Sequence, residues 1–130
     1  MDPFIQELKD EHQEMLKFLK KLSKLAPQDK NRLSSLNQLR GFVADHLAKE
    51  DKQLYPGLIQ RAEEDRDLKI ILDYYQKHMR KIGDLAQNFL DKHAGEQAGA
   101  DFKKDLKKLI RFLKGRVLWE EEILFAKFAQ

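Results

Sequence analysis

Four stretches of the chain place apolar residues at alternating steps of three and four, the spacing that lines them up along one side of an α-helix. The first opens on Asp2-Pro3, a capping residue followed by the residue best suited to a first helical position. It follows Leu8, His12, Met15, Leu19 and Leu22 and stops at Pro27. The second starts after Asp29 and follows Leu36, Leu39, Val43, His46, Glu50 and Gln53 toward Leu54-Tyr55-Pro56-Gly57, where Pro56 is expected to break or kink it. The third begins between Asp65 and Asp67, follows Ile71, Tyr75, His78, Ile82, Leu85 and Phe89, and ends near His93. The fourth opens at Asp101 and follows Phe102, Leu106, Leu109, Leu113, Arg116, Glu120 and Ile123. The segment from Ala94 to Ala100, with two glycines and no large apolar residue, reads as a loop. Four amphipathic rods on short connections bury their stripes most simply as antiparallel neighbours. The expected fold is therefore an all-α, up-down-up-down four-helix bundle forming one domain over residues 1–130.

Composition narrows the function classes. The chain has no cysteine, which removes disulfides, thiolate metal sites and a cysteine nucleophile, and makes a reducing cytoplasm the expected location. Met1-Asp2-Pro3-Phe4 has neither the basic nor the apolar region of a signal peptide, and no apolar run approaches the length of a membrane span. A net charge of +3 with Lys and Glu interleaved gives no reason to expect a nucleic-acid partner. The run Lys103, Lys104, Lys107, Lys108, Arg111 and Lys114 lies largely off the fourth stripe and reads as a solvated face. His93 falls in the last turn of its helix, where a cation suits the helix dipole.

The stripes themselves carry the functional signal. His12, His46, Glu50, His78, Arg116 and Glu120 occupy inward phases, at least one on every helix. Burying such groups costs several kcal/mol each unless they are paired or bound to a metal. In an antiparallel arrangement they also fall at similar heights: roughly ten residues into the first and third helices, and roughly fifteen to nineteen into the second and fourth, at about 1.5 Å per residue. The i, i+4 spacing of His46 and Glu50 lets an imidazole and a carboxylate reach one ion. A weak internal repeat links the two halves. His46-x3-Glu50-x3-Leu54-Tyr55 matches Arg116-x3-Glu120-x3-Leu124-Phe125, with Arg116 where the repeat calls for histidine, and His12-x3-Leu16 matches His78-x3-Ile82.

These residues resemble the hemerythrin-like HHE cation-binding family across nearly the whole chain. The resemblance rests on Glu11-His12, His46-x3-Glu50-Asp-x2-Leu-Tyr-Pro, the single His78, and Glu120-Glu121-x2-Leu-Phe. It implies a four-helix bundle holding two non-haem irons that binds or senses O2 or a related oxidant. Carried over position by position, His12 and His46 would ligate one iron, Glu50 and Glu120 would bridge, and His78 would ligate the second. The sequence departs from the family at Arg116, where histidine is usual, and at Tyr74 and Ile82, the positions that flank His78 at four-residue spacing.

Arginine has only donors and stays protonated, so Arg116 cannot ligate a metal. Its natural partner is Glu120, one turn on. A guanidinium there would take the electrostatic place of a second metal and leave a mononuclear site. Nitrogen and oxygen ligands of this kind accept Zn or Mn as well as Fe. No nucleophile or acid–base pair stands apart from the candidate ligands, so the chain reads as a binding protein more than as an enzyme. The rival is a metal-free bundle kept as an interaction or regulatory module, with Arg116 filling the site.

Overall fold

A computed structural model describes residues 2–26, 28–93 and 101–128. Four helical rods form the bundle. The first is α1 (Pro3–Ser23). The second runs through α2 (Arg32–Lys49), a π-helical turn (Glu50–Leu54) and α3 (Tyr55–Ala62). The third is α4 (Arg66–His93). The fourth repeats the construction of the second, with α5 (Phe102–Trp119), a π-helical turn (Glu120–Leu124) and α6 (Phe125–Phe128). α1 packs on α2 and α5, and α4 packs on α3 and α5. No described helix is long and apolar enough to cross a membrane.

The start of α1 follows from its first residues. The Asp2 carboxylate accepts the backbone N–H of Phe4 at 2.8 Å and that of Ile5 at 3.4 Å, with Pro3 at the first helical position. Pro56 does not end the second rod. It sits in the first turn of α3, directly after the π turn, and the helix continues to Ala62. The loop expected between Ala94 and Ala100 lies outside the described residues, as does Pro27.

The core falls into two apolar layers. One joins Met15, Leu19 and Leu22 of α1 to Leu36 and Leu39 of α2, Phe89 of α4, and Phe102, Leu106 and Leu109 of α5. The other joins Ile5 and Leu8 to Leu54, Leu58, Leu68, Leu72, Leu124 and Phe125. The late part of α1 thus meets the early part of α2, the late part of α4 and the early part of α5. That register is the up-down-up-down order. Each rod crosses from one layer to the other through a short polar interval: His12, then His46 and Glu50, then Tyr75, then Arg116 and Glu120. All six side chains are buried.

Candidate metal centre

The two π turns set the acids. In each, the N–H of the following aromatic residue, Tyr55 or Phe125, donates to the carbonyl five positions back, at Glu50 or Glu120. The wide turn accommodates one extra residue and rephases everything after it. This explains why Leu54 and Leu124 are fully buried while Gln53 is exposed and Ile123 only half-buried, although the stripes extrapolate to Gln53 and Ile123. The signal was present in the spacing. His46, Glu50, Leu54 and Leu58 follow one another in steps of four without the compensating three, a drift of about 40° per step that a plain α-helix cannot hold on one face.

His12, His46, Glu50 and Glu120 converge, each offering one ligand atom within 4.8 Å of the others. His12 Nε2 lies 2.9 Å from Glu120 Oε2, and His46 Nε2 lies 3.6 Å from Glu50 Oε2. The imidazole rings of His12 and His46 are 4.7 Å apart between centroids, and Phe125 stacks on His12 at 5.6 Å. Proximity here is not satisfaction. Among the described residues, both nitrogens of His12, Nε2 of His46 and both oxygens of Glu50 are buried with no well-aligned hydrogen bond, although His12 Nε2 and the Glu50 carboxyl both lie against Glu120. Buried polar atoms are paired in the great majority of cases. These orphans, two imidazoles and one carboxylate from two rods, face the Glu120 carboxylate of a third, a set that suits a divalent transition-metal ion at its centre.

Neighbouring groups hold this set in place. Glu11 lies 2.8 Å from His46 Nδ1; with the proton on that nitrogen, Nε2 is left as the free donor atom. Lys49 donates to Glu11 and, at 2.7 Å, to Glu7, which fixes the Glu11 carboxylate in turn. On the other side the Tyr75 hydroxyl donates to Glu120 Oε1. Burial pushes the Glu50 carboxyl up to about 10, reinforced by the charge of Glu120 and opposed by Arg116. Burial also works against ionised Glu120, but His12, Tyr75 and Arg116 outweigh it and hold that carboxyl below the usual range. The two acids are thereby pushed apart. Burial lowers His46, with the Glu11 contact opposing, and raises both Tyr55 and Tyr75.

Four of the five residues nominated by the sequence come together; His78 does not join them. The inward positions of α4 run through Leu68, Leu72, Tyr75 and Ile82, and Met79 rather than His78 lies toward the ligands. One residue along a helix is about 100° of rotation. His78 is accordingly half-buried in a surface groove between α4 and α5, its ring 4.3 Å from that of Tyr74. Tyr75, expected as packing, is the residue of α4 that reaches an acid. The cue was available: a buried tyrosine needs a partner for its hydroxyl. Tyr74 is half-exposed and stands outside the ligand group.

Arg116 also differs from expectation. Among the described residues it forms no ion pair with Glu120 or any other acid. Its guanidinium carbon lies 3.4 Å from the centre of the Tyr75 ring and 4.9 Å from that of Trp119. Cation–π contact on desolvated aromatic faces replaces the salt bridge. His93 is fully buried, 2.7 Å from Asp105 across the α4–α5 junction, and belongs to the helix ends rather than to the ligand set.

A model of the hemerythrin HHE cation-binding domain matches residues 4–128. No curated protein and no solved structure matches the chain significantly. The match spans all four rods and both acid-bearing π turns, so the chain belongs to the hemerythrin HHE cation-binding domain family.

Proposed function

We propose that this protein binds a single iron ion through His12, His46, Glu50 and Glu120 and uses it to bind or sense O2 or a related small oxidant such as NO or peroxide. The observation that carries the reading is the group of four buried, converging side chains, three of which, His12, His46 and Glu50, carry polar atoms with no hydrogen-bond partner among the described residues. The choice of iron over zinc or manganese follows the family pattern, since two imidazoles and two carboxylates suit all three. A small-molecule role is supported by the apolar cavity that reaches the same side chains, because a dry pocket at an open coordination position favours O2-type ligands over water.

One ion rather than two is supported by Arg116. It stands one turn before Glu120, as His46 stands before Glu50, and contributes a fixed positive charge that lowers both carboxyls. The imidazole that a second ion would use, His78, lies on another face of α4. Metal analysis of protein expressed in iron-rich medium is expected to give about one iron per chain, with a spectrum that responds to azide or NO. His46→Ala is expected to lose the metal, and Arg116→His to raise the count. Two irons per chain in the wild type would refute the mononuclear centre. Protein that emerges metal-free would refute the reading as a whole and favour an interaction module.

A further inference from the structure

Between α2 and α4 the bundle holds a cavity of about 270 Å³. α2 packs chiefly on α1 and α4 on α3 and α5, and between α2 and α4 the cavity is lined by the small residues Ala44, Gly83 and Ala86. The cavity runs from the ligand group to Leu36 and Phe89, and its wall is almost wholly apolar. Protein interiors rarely keep voids larger than a water molecule. An apolar cavity of about 150 Å³ stays dry and takes up benzene. By that scale this one has room for roughly ten heavy atoms, well beyond a diatomic gas.

The inner end supplies the polar information. Arg116 lines the cavity, is 9% exposed, and its Nε and Nη2 are buried with no hydrogen-bond partner. Those two nitrogens form one edge of the guanidinium, with parallel N–H bonds spaced to meet the two oxygens of a carboxylate. The same guanidinium rests on the Tyr75 ring with Trp119 beside it, which fixes its position, and among the described residues nothing pairs with that edge. Arg40 also lines the cavity, but it is exposed on α2 and water can serve it.

We propose that this cavity binds a medium-chain monocarboxylic acid, its alkyl tail between α2 and α4 and its carboxylate on the Nε–Nη2 edge of Arg116. The inference shares its cavity with the metal reading, but tail and head are recognised by residues other than the four ligands, so either can fail without the other. Octanoate, with ten heavy atoms, matches the volume. Octanol fills the same space without the charge.

The test is calorimetric titration of the chelator-treated protein, and of the same protein reloaded with zinc, with octanoate and with octanol. Octanoate is expected to bind one per chain with a negative heat-capacity change, and octanol at least tenfold more weakly. Arg116→Met should weaken octanoate at least tenfold, and Arg40→Met by less than twofold. Gly83→Leu provides a second route, since a Cβ at Gly83 meets nothing within 4 Å and the larger side chain can plug the mouth without disturbing the helix. That variant should keep its melting temperature and lose octanoate binding. The proposal is overturned if neither protein form binds octanoate, if octanol binds as well, if Arg40→Met rather than Arg116→Met abolishes binding, or if plugging the mouth changes nothing.

Discussion

Glu50 shows what a single residue contributes here. Its side chain is fully buried, and among the described residues neither oxygen meets a donor; it lies against the Glu120 carboxylate. A carboxyl in that state costs stability wherever no cation satisfies it. Glutamine keeps the shape and removes the ionisable group. Glu50→Gln should therefore stabilise the metal-free protein by about 1–3 kcal/mol while greatly weakening metal binding. Urea unfolding in the presence of chelator measures the first effect, and metal analysis the second. A variant less stable than the wild type in chelator would show that Glu50 is structurally satisfied without a metal. Glu11 and Tyr75 work differently: each orients a ligand by one hydrogen bond, to His46 and to Glu120.

At the scale of elements, the π turns are the devices that let one rod serve two faces. Upstream of Glu120 the fourth rod buries Leu106, Leu109 and Arg116; downstream it buries Leu124 and Phe125, the latter against His12. The turn already holds one extra residue, so inserting an alanine after Glu122, an exposed residue inside it, should rotate Leu124 and Phe125 by about 100° out of the core. The expected cost is on the order of 3–5 kcal/mol, comparable to truncating a large core side chain. An unchanged denaturation midpoint would contradict this account of the turn. A second element-scale feature ties α4 to α5. Asp105 receives His93 at 2.7 Å and Lys92 at 3.1 Å, and these partners, His93 foremost, hold its carboxyl below the ordinary value of 3.8. Because the folded value is the lower one, the contribution is present above 3.8 and is lost as pH falls through the folded value. Asp105→Asn should lower stability slightly at neutral pH and flatten the acid limb of a pH–stability curve. A limb of unchanged steepness would count against it.

For the whole molecule, two apolar layers enclose one polar layer, so a cation in the middle would link all four rods, three as ligands and α4 through Tyr75. Binding to the folded state alone stabilises it by mass action, about 2.7 kcal/mol at a metal concentration 100 times Kd. For a chain of this size that corresponds to a rise in Tm of roughly 10 °C. Thermal melts with added Fe(II) or Zn(II), against the same protein in chelator, should show it. Identical melting temperatures would mean that the polar layer stands without an ion.

The sequence by itself determined the four rods, their antiparallel order and the level at which charged groups cross the core, because a period near 3.6 and a handful of breakers dictate which face each helix must bury. It also singled out His12, His46, Glu50, His78 and Glu120 as inward-facing, since ionisable side chains on an apolar stripe need a shared partner, and the fold groups all of them but His78. The tertiary structure decided what periodicity alone resolves poorly. A step of three and a step of four from Tyr75 are both helical, and only the packing of α4 against its neighbours turned Met79 inward and left His78 in the surface groove. The same holds for Arg116, which a repeat pattern pairs with Glu120 but which the bundle seats on the faces of Tyr75 and Trp119. Spacing along a chain fixes direction to within a turn; which of two neighbouring directions holds the site depends on the shape of the other three rods.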